Sequence, residues 1–109
     1  MTLNDVKNAL LTVTPKVWHY TAPSDTTCPY LIWMEDGQSE GLYGDGKMVA
    51  QTITGSIHYF TKIENDPNYG EIQKALNDAG IPFSLEAVQF EEDTRIIHTH
   101  WDFEVSKEV

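Results

Sequence analysis

Cysteine and arginine are almost missing from this chain: Cys28 and Arg95 are the only examples in 109 residues. A lone cysteine forms no intramolecular disulfide and no cysteine-rich zinc site. Cys28 precedes Pro29 in a stretch without a basic neighbour to favour the thiolate, so it reads as chemically inert. Six lysines join Arg95 against 17 acids, and the net charge is −10. Tight binding to a phosphate backbone needs clustered Lys and Arg, which this composition excludes. Long apolar runs are also lacking; Ala9 to Val13 is far too short to span a membrane. The N-terminus has no basic, apolar, small-residue pattern of a secretory signal, and the expected location is a cytoplasm. No internal repeat is visible.

What is present suits one domain, residues 1–109. A chain of this size buries roughly 65% of its unfolded surface, enough for one core. Three Trp, five Tyr and four Phe supply core material. Disorder is expected only at Ser106 to Val109.

Leu3, Val6, Leu10 and Val13 recur at helical spacing, with Thr2 as N-cap and Asp5 in the first turn; the helix runs to Leu11, before Pro15. Val17 to Tyr20 reads as a short extended piece, and Thr21 to Cys28 as a loop. Pro29 to Glu35 is a strand with apolar residues on both faces: Tyr30, Ile32 and Met34 on one, Leu31 and Trp33 on the other. Such a strand is covered on both sides, here by a helix and by a neighbouring subunit. Asp36 to Gly46 holds Gly37, Gly41, Gly44 and Gly46 among acids and is expected to be a mobile loop that contacts partners. Its glycine spacing matches no phosphate-binding loop, and its acids would repel phosphate.

The unit from Gln51 to Val105 is the best marked: strand, helix, strand, turn, strand. Gln51 to Lys62 alternates, with Ile53, Gly55, Ile57 and Tyr59 on one face; Gly55 in mid-strand points to a bend or a close backbone approach. Asp66-Pro67 opens a helix over about 66–79, with Tyr69, Ile72, Leu76 and Ala79 inward, Gln73, Lys74 and Asn77 outward, and Gly80 as the stop. In Phe83 to Glu91, Leu85 and Val88 are out of phase, which a bulge near Glu86-Ala87 would correct. Arg95 to Val105 alternates, with Trp101 and Phe103 inward and His98, His100, Asp102 and Glu104 on the other face. The fold class is α+β: an antiparallel sheet with an N-terminal helix and a second helix packed on it, in the order α-β-β-α-β-β.

Chemistry has few candidates. His98 and His100 point the same way on a strand and are able to share a metal, with His58 a potential partner across the sheet and His19 unplaced. No third ligand follows at a recognisable spacing, so no metal and no cofactor is expected. Glu91-Glu92-Asp93 reads as a solvated turn. No nucleophile stands beside a base in any known motif, and no catalytic residue is assigned; the chain is not expected to be an enzyme. The alternative is a small metal-binding enzyme or binding domain that uses the His98/His100 face.

Gly55-Ser-Ile-His-Tyr-Phe-Thr-Lys-Ile-Glu-Asn-Asp-Pro67 followed by Ile72-Gln-Lys-Ala-Leu-Asn77 resembles small prophage proteins of Gram-positive bacteria. So do Gln89-Phe-Glu-Glu-Asp-Thr94 and Ile97-His-Thr-His-Trp-Asp-Phe-Glu-Val105, and Pro29-Tyr-Leu-Ile-Trp33 is similar to their first core strand. These proteins resemble the tail terminator, or tail completion, proteins of long-tailed phages. The resemblance covers Thr2 to Val105 and consists of packing patterns. It implies a structural, ring-forming subunit, commonly a hexamer, that caps the tail tube and joins it to the head connector proteins while the genome passes through. It implies residence in the host cytoplasm during assembly and then in the virion. Another neck or connector protein of the virion fits the same patterns.

Overall fold

The computed structural model describes residues 2–108. Its elements are α1 (Leu3–Leu11), β1 (Val17–His19), β2 (Tyr30–Gly44), β3 (Lys47–Thr61), α2 (Pro67–Asp78), β4 (Phe83–Glu91) and β5 (Ile96–Glu108). The strands form one five-stranded sheet in the order β1-β2-β3-β5-β4. All pairings are antiparallel except β1 with β2. The fold is α+β, with both helices on one face of the sheet. The Val17 piece adds a fifth, parallel edge strand to the order expected from the sequence.

Each helix begins where its cap places it. Thr2 accepts from the Asp5 N–H through its hydroxyl while the Asp5 carboxylate takes the Thr2 N–H at 2.8 Å, a capping box. Asp66 accepts from the Asn68 N–H at 2.9 Å. Gly80, at φ 71°, ends α2 and lets Ile81 N–H reach the Leu76 carbonyl at 2.9 Å. Val6 and Leu10 of α1 and Ile72 and Leu76 of α2 pack fully buried against Leu31, Trp33, Ile57, Tyr59, Trp101 and Phe103 of the sheet. Gln73 is not an outward residue: it takes the buried Trp101 indole N–H at 3.0 Å, the one polar atom that ring has to satisfy.

A buried carboxylate ties α2 to β3. Asp66 Oδ2 accepts from the Tyr59 and Thr61 hydroxyls, both at 2.7 Å, and Asn68 Nδ2 donates to the Tyr59 oxygen at 3.0 Å. Burial alone would raise the Asp66 carboxyl, but the Thr61, Asn68 and Tyr59 donors hold it below its usual range. Burial, then the bond to Asp66, pushes the Tyr59 phenol up to about 12.

Three expectations need correction. Asp36 to Gly46 is not a loop. It is the outer half of β2 and the turn of a two-residue hairpin at Asp45-Gly46, whose φ angles are 52° and 76°. Positive φ at both central residues is what an Asp-Gly hairpin turn requires. Glycines at 37, 41 and 44 are accommodated because backbone pairing with β3 holds the strand, with register shifts at Glu35/Gly37, Gln38/Glu40 and Leu42/Tyr43. Second, β3 starts at Lys47 rather than Gln51. Third, Ser106 to Glu108 are ordered as the end of β5, paired with Thr52, Gln51 and Ala50; Val109 lies outside the described residues.

The hairpin beyond Ile53 and Val105 forms an arm that projects from the body. The molecule measures 53 × 26 × 22 Å as a result. No helix among the described residues is long and apolar enough to cross a membrane.

Gly55 sits where the arm meets the body. A Cβ built there would lie 2.3 Å from the Met34 carbonyl oxygen and 2.3 Å from the Phe103 ring. The close approach expected from a mid-strand glycine is therefore the seating of Phe103 on bare backbone. Gly55→Ala should destabilise the protein by about 1–3 kcal/mol or more, since one of the two contacts is rigid main chain. Denaturant unfolding measures it; a variant as stable as the parent would refute the packing described.

Candidate functional site

Alternation sends one set of side chains to the helices and the other to a bare face. On that open face Trp18 of β1 lies beside Ile32 of β2, Tyr30 opposite Phe60 of β3, and His58 opposite His100 of β5. His98 and His100 share this face, as their spacing predicts, and His58 joins them. His19 does not: it stacks on Trp33 at 4.0 Å and meets Glu35 at 2.6 Å, away from the cluster.

The rings form a continuous ribbon across four strands. Trp18 meets Tyr30 edge-on at 6.2 Å between centroids, and Tyr30 stacks on Phe60 at 4.7 Å. Phe60 stacks on His98 at 4.4 Å, His98 lies 4.9 Å from His58, and His58 stacks on His100 at 4.5 Å. All six side chains are half-buried. Cross-strand aromatic pairs of this kind each contribute about 0.2–1 kcal/mol to the sheet, yet the ribbon's outer surface has no helix over it.

The imidazoles bond to one another. His58 Nδ1 lies 2.7 Å from His98 Nε2, so one nitrogen donates and the other accepts, and the pair shares a single proton while neutral. His58 Nε2 reaches Ser56 Oγ at 3.1 Å, and His100 Nε2 reaches Asp102 Oδ1 at 2.9 Å. Burial first, then the neighbouring His100 and His98, push the His58 imidazole down to about 4. Burial also lowers His98; Glu91 opposes the shift and His100 adds to it. Among the described residues, no group of three His, Cys, Asp or Glu side chains is arranged to hold a metal ion. His58 and His98 turn their nitrogens toward each other rather than toward a common open point.

The other candidates from the sequence lie apart from this ribbon's centre. Burial raises the Cys28 thiol; Lys62 and Lys16 are close enough to oppose this, which the sequence did not suggest, but burial prevails. Glu91, Glu92 and Asp93 are exposed in the β4–β5 turn region, where Glu91 takes the Thr94 hydroxyl at 3.1 Å. The bulge in β4 falls between Leu85 and Ala87 and brings Leu85 and Val88 to the helix side, as predicted, but both remain exposed because α2 does not reach that edge. An open cleft of about 490 Å³ lies there, between Ile63, Tyr69, Val88 and Ile97. Nothing in local spacing pairs Trp18, Tyr30 and Phe60 with the histidines; only the strand register does.

The ribbon has a pH signature. The unfolded chain protonates His58 at the ordinary imidazole value of about 6.5, the folded chain only at about 4. Between those values the unfolded state binds more protons, so stability is full above about pH 6.5 and declines as pH falls toward about 4. His98 acts in the same direction. The thermal midpoint should therefore fall across that window, and His58→Gln should flatten the fall. An equal fall in parent and variant would contradict the assignment.

No protein-family model matches this chain, and no curated protein matches it.

Proposed function

We propose that this chain is a structural subunit of the tail terminator type, which self-associates into a ring, caps a phage tail tube and joins it to the head connector proteins. One observation carries the reading: a sheet whose first face is a packed core presents, on its second, a ribbon of six half-buried rings without cover. Subunit contacts favour aromatic centres of this kind. The α+β order with an N-terminal helix and a second helix on an antiparallel sheet agrees with what the resemblance implies. In this reading the protein is no enzyme and needs no cofactor. Its partners are other copies of itself, the tail tube protein and the head connector. It assembles in the host cytoplasm and ends in the virion. Another neck or connector role in the virion would use the same bare face.

The composition sets the conditions for assembly. With −10 per subunit, six copies carry about −60. Mutual repulsion opposes closure when the screening length is long and relaxes as salt shortens it. An acidic ring also lets DNA pass without adhering, since counterion release needs cationic groups.

Sedimentation across salt and protein concentration tests the proposal. The expected result is a monomer in dilute, low-salt solution and a closed ring at high salt, at high concentration or on the end of a tail tube. Rings favoured by low salt would contradict the electrostatic argument. A protein that stays monomeric at millimolar concentration in high salt, and ignores tail tubes, would refute the terminator role.

A further inference from the structure

Besides the three-residue β1, two stretches of the sheet end in a main-chain edge with no neighbouring strand among the described residues. β1 covers only Leu31 to Trp33 of β2, so the outer half of β2 is bare, and β4 is bare along all nine of its residues. The two edges differ. The outer half of β2 breaks register three times, between Glu35 and Gly37, Gln38 and Glu40, and Leu42 and Tyr43. Irregularities of that kind spoil an edge for a further strand. β4 has one bulge, between Leu85 and Ala87, and neither Pro nor Lys; from Ala87 to Glu91 its pairing is regular. That stretch offers about 17 Å of main-chain edge. We propose that β4 is a docking edge, to which another protein adds a strand that alternates apolar residues with Lys or Arg. The contact needs no ring and is open to a single copy.

The two sides of β4 select that alternation. On the helix side stand Leu85, Val88 and Phe90, opposite Trp101, Thr99 and Ile97 of β5 and 45%, 55% and 53% exposed. Ile63, 56% exposed, faces Val88 across the cleft of about 490 Å³. An added strand lays every second side chain along this row, as peptides do when they extend a sheet. The open side of the same edge is acidic. The Glu86 carboxylate accepts from the Ser84 hydroxyl at 2.7 Å, on the side that Ser84 shares with Asp102. Glu91 lies on that side too, close enough to His98 to favour its protonated form. Glu86 and Glu91 form no ion pair among the described residues. Arg95 sits over the Phe90 ring, 5.6 Å from its centroid, and Lys62, like Glu91, lies near Cys28. The carboxylates toward each end of β4 are therefore open to cations on the alternate positions of an added strand.

A second copy does not supply such a strand. Its own β4 would bring Glu86 and Glu91 against the same two acids, and the outer half of its β2 would bring Asp36 and Glu40. Like charges opposed across a ladder destabilise it. β1, beside Lys16, is too short to cover β4.

Peptides of nine residues, the length of β4, test this against the full chain in dilute solution. One alternates Val and Lys, one Val and Glu, one Ser and Lys. The Val–Lys peptide should bind at least about tenfold more tightly than either of the others and slow amide exchange at Ala87 to Glu91. Val88→Lys, at an exposed position, should weaken that binding about tenfold or more; if the variant fails to fold, Phe90→Ser replaces it. Glu86→Gln with Glu91→Gln should narrow the gap between the Val–Lys and Val–Glu peptides. Equal binding of the Val–Lys and Ser–Lys peptides would mean attraction by net charge alone and would overturn the inference. So would no binding of the Val–Lys peptide, binding that Val88→Lys leaves unchanged, or protection confined to the outer half of β2. A parent dimer that Val88→Lys abolishes would give the edge to a second copy and overturn it as well. All of this is read on dilute protein, so the ring reading stands or falls separately.

Discussion

Among the described residues, the helices that cover this sheet are two, of 9 and 12 residues. Such helices are about 14 and 18 Å long. The sheet beneath them has five strands, two of which run 15 residues, or about 50 Å. Both helices lie on one side, where Val6, Leu10, Ile72 and Leu76 close the core. That arithmetic leaves the other side bare and the hairpin beyond Ile53 without a roof. The open aromatic face and the projecting arm are two consequences of one shortage of helix.

Two local devices make the arrangement rigid. The Asp66 carboxylate gathers two hydroxyls and a main-chain N–H, so the end of β3 and the start of α2 are held at one point. At the base of the arm, Phe103 rests directly on the Gly55 backbone. The ring fills the space a side chain would otherwise occupy, and β3 and β5 continue together into the arm through Ile53 and Val105. The arm is thus an extension of the core strands rather than a flexible appendage.

Much of this was legible from residue patterns. Thr2, Asp66-Pro67 and Gly80 marked the helix ends because caps act through immediate neighbours. The alternation in β5 placed His98 and His100 together, and the phase error between Leu85 and Val88 located a bulge. The outer half of β2 was not legible, since its glycines and acids read as a loop. Its order comes from main-chain pairing with β3 across the Asp45-Gly46 turn, whose partners the local composition does not reveal. The order of Ser106 to Glu108 is not legible locally either: their partners, Ala50 to Thr52, lie far away in the chain. The ribbon of rings depends on register across β1, β2, β3 and β5. No short window of sequence contains that information.

The central claim is that the bare face is an interface, and hydroxyl-radical footprinting addresses it side chain by side chain. Met34, Tyr30 and Phe60 lie on the open side of β2 and β3, while Glu71 and Lys74 lie on the solvent side of α2. Oxidation rates would be compared in dilute monomer and in protein assembled at high salt or on tail tubes. The account predicts strong protection of Met34, Tyr30 and Phe60 on assembly, with the outer surface of α2 unchanged. Unaltered rates at Met34, Tyr30 and Phe60 in a fully assembled sample, with protection confined to the helices, would contradict it.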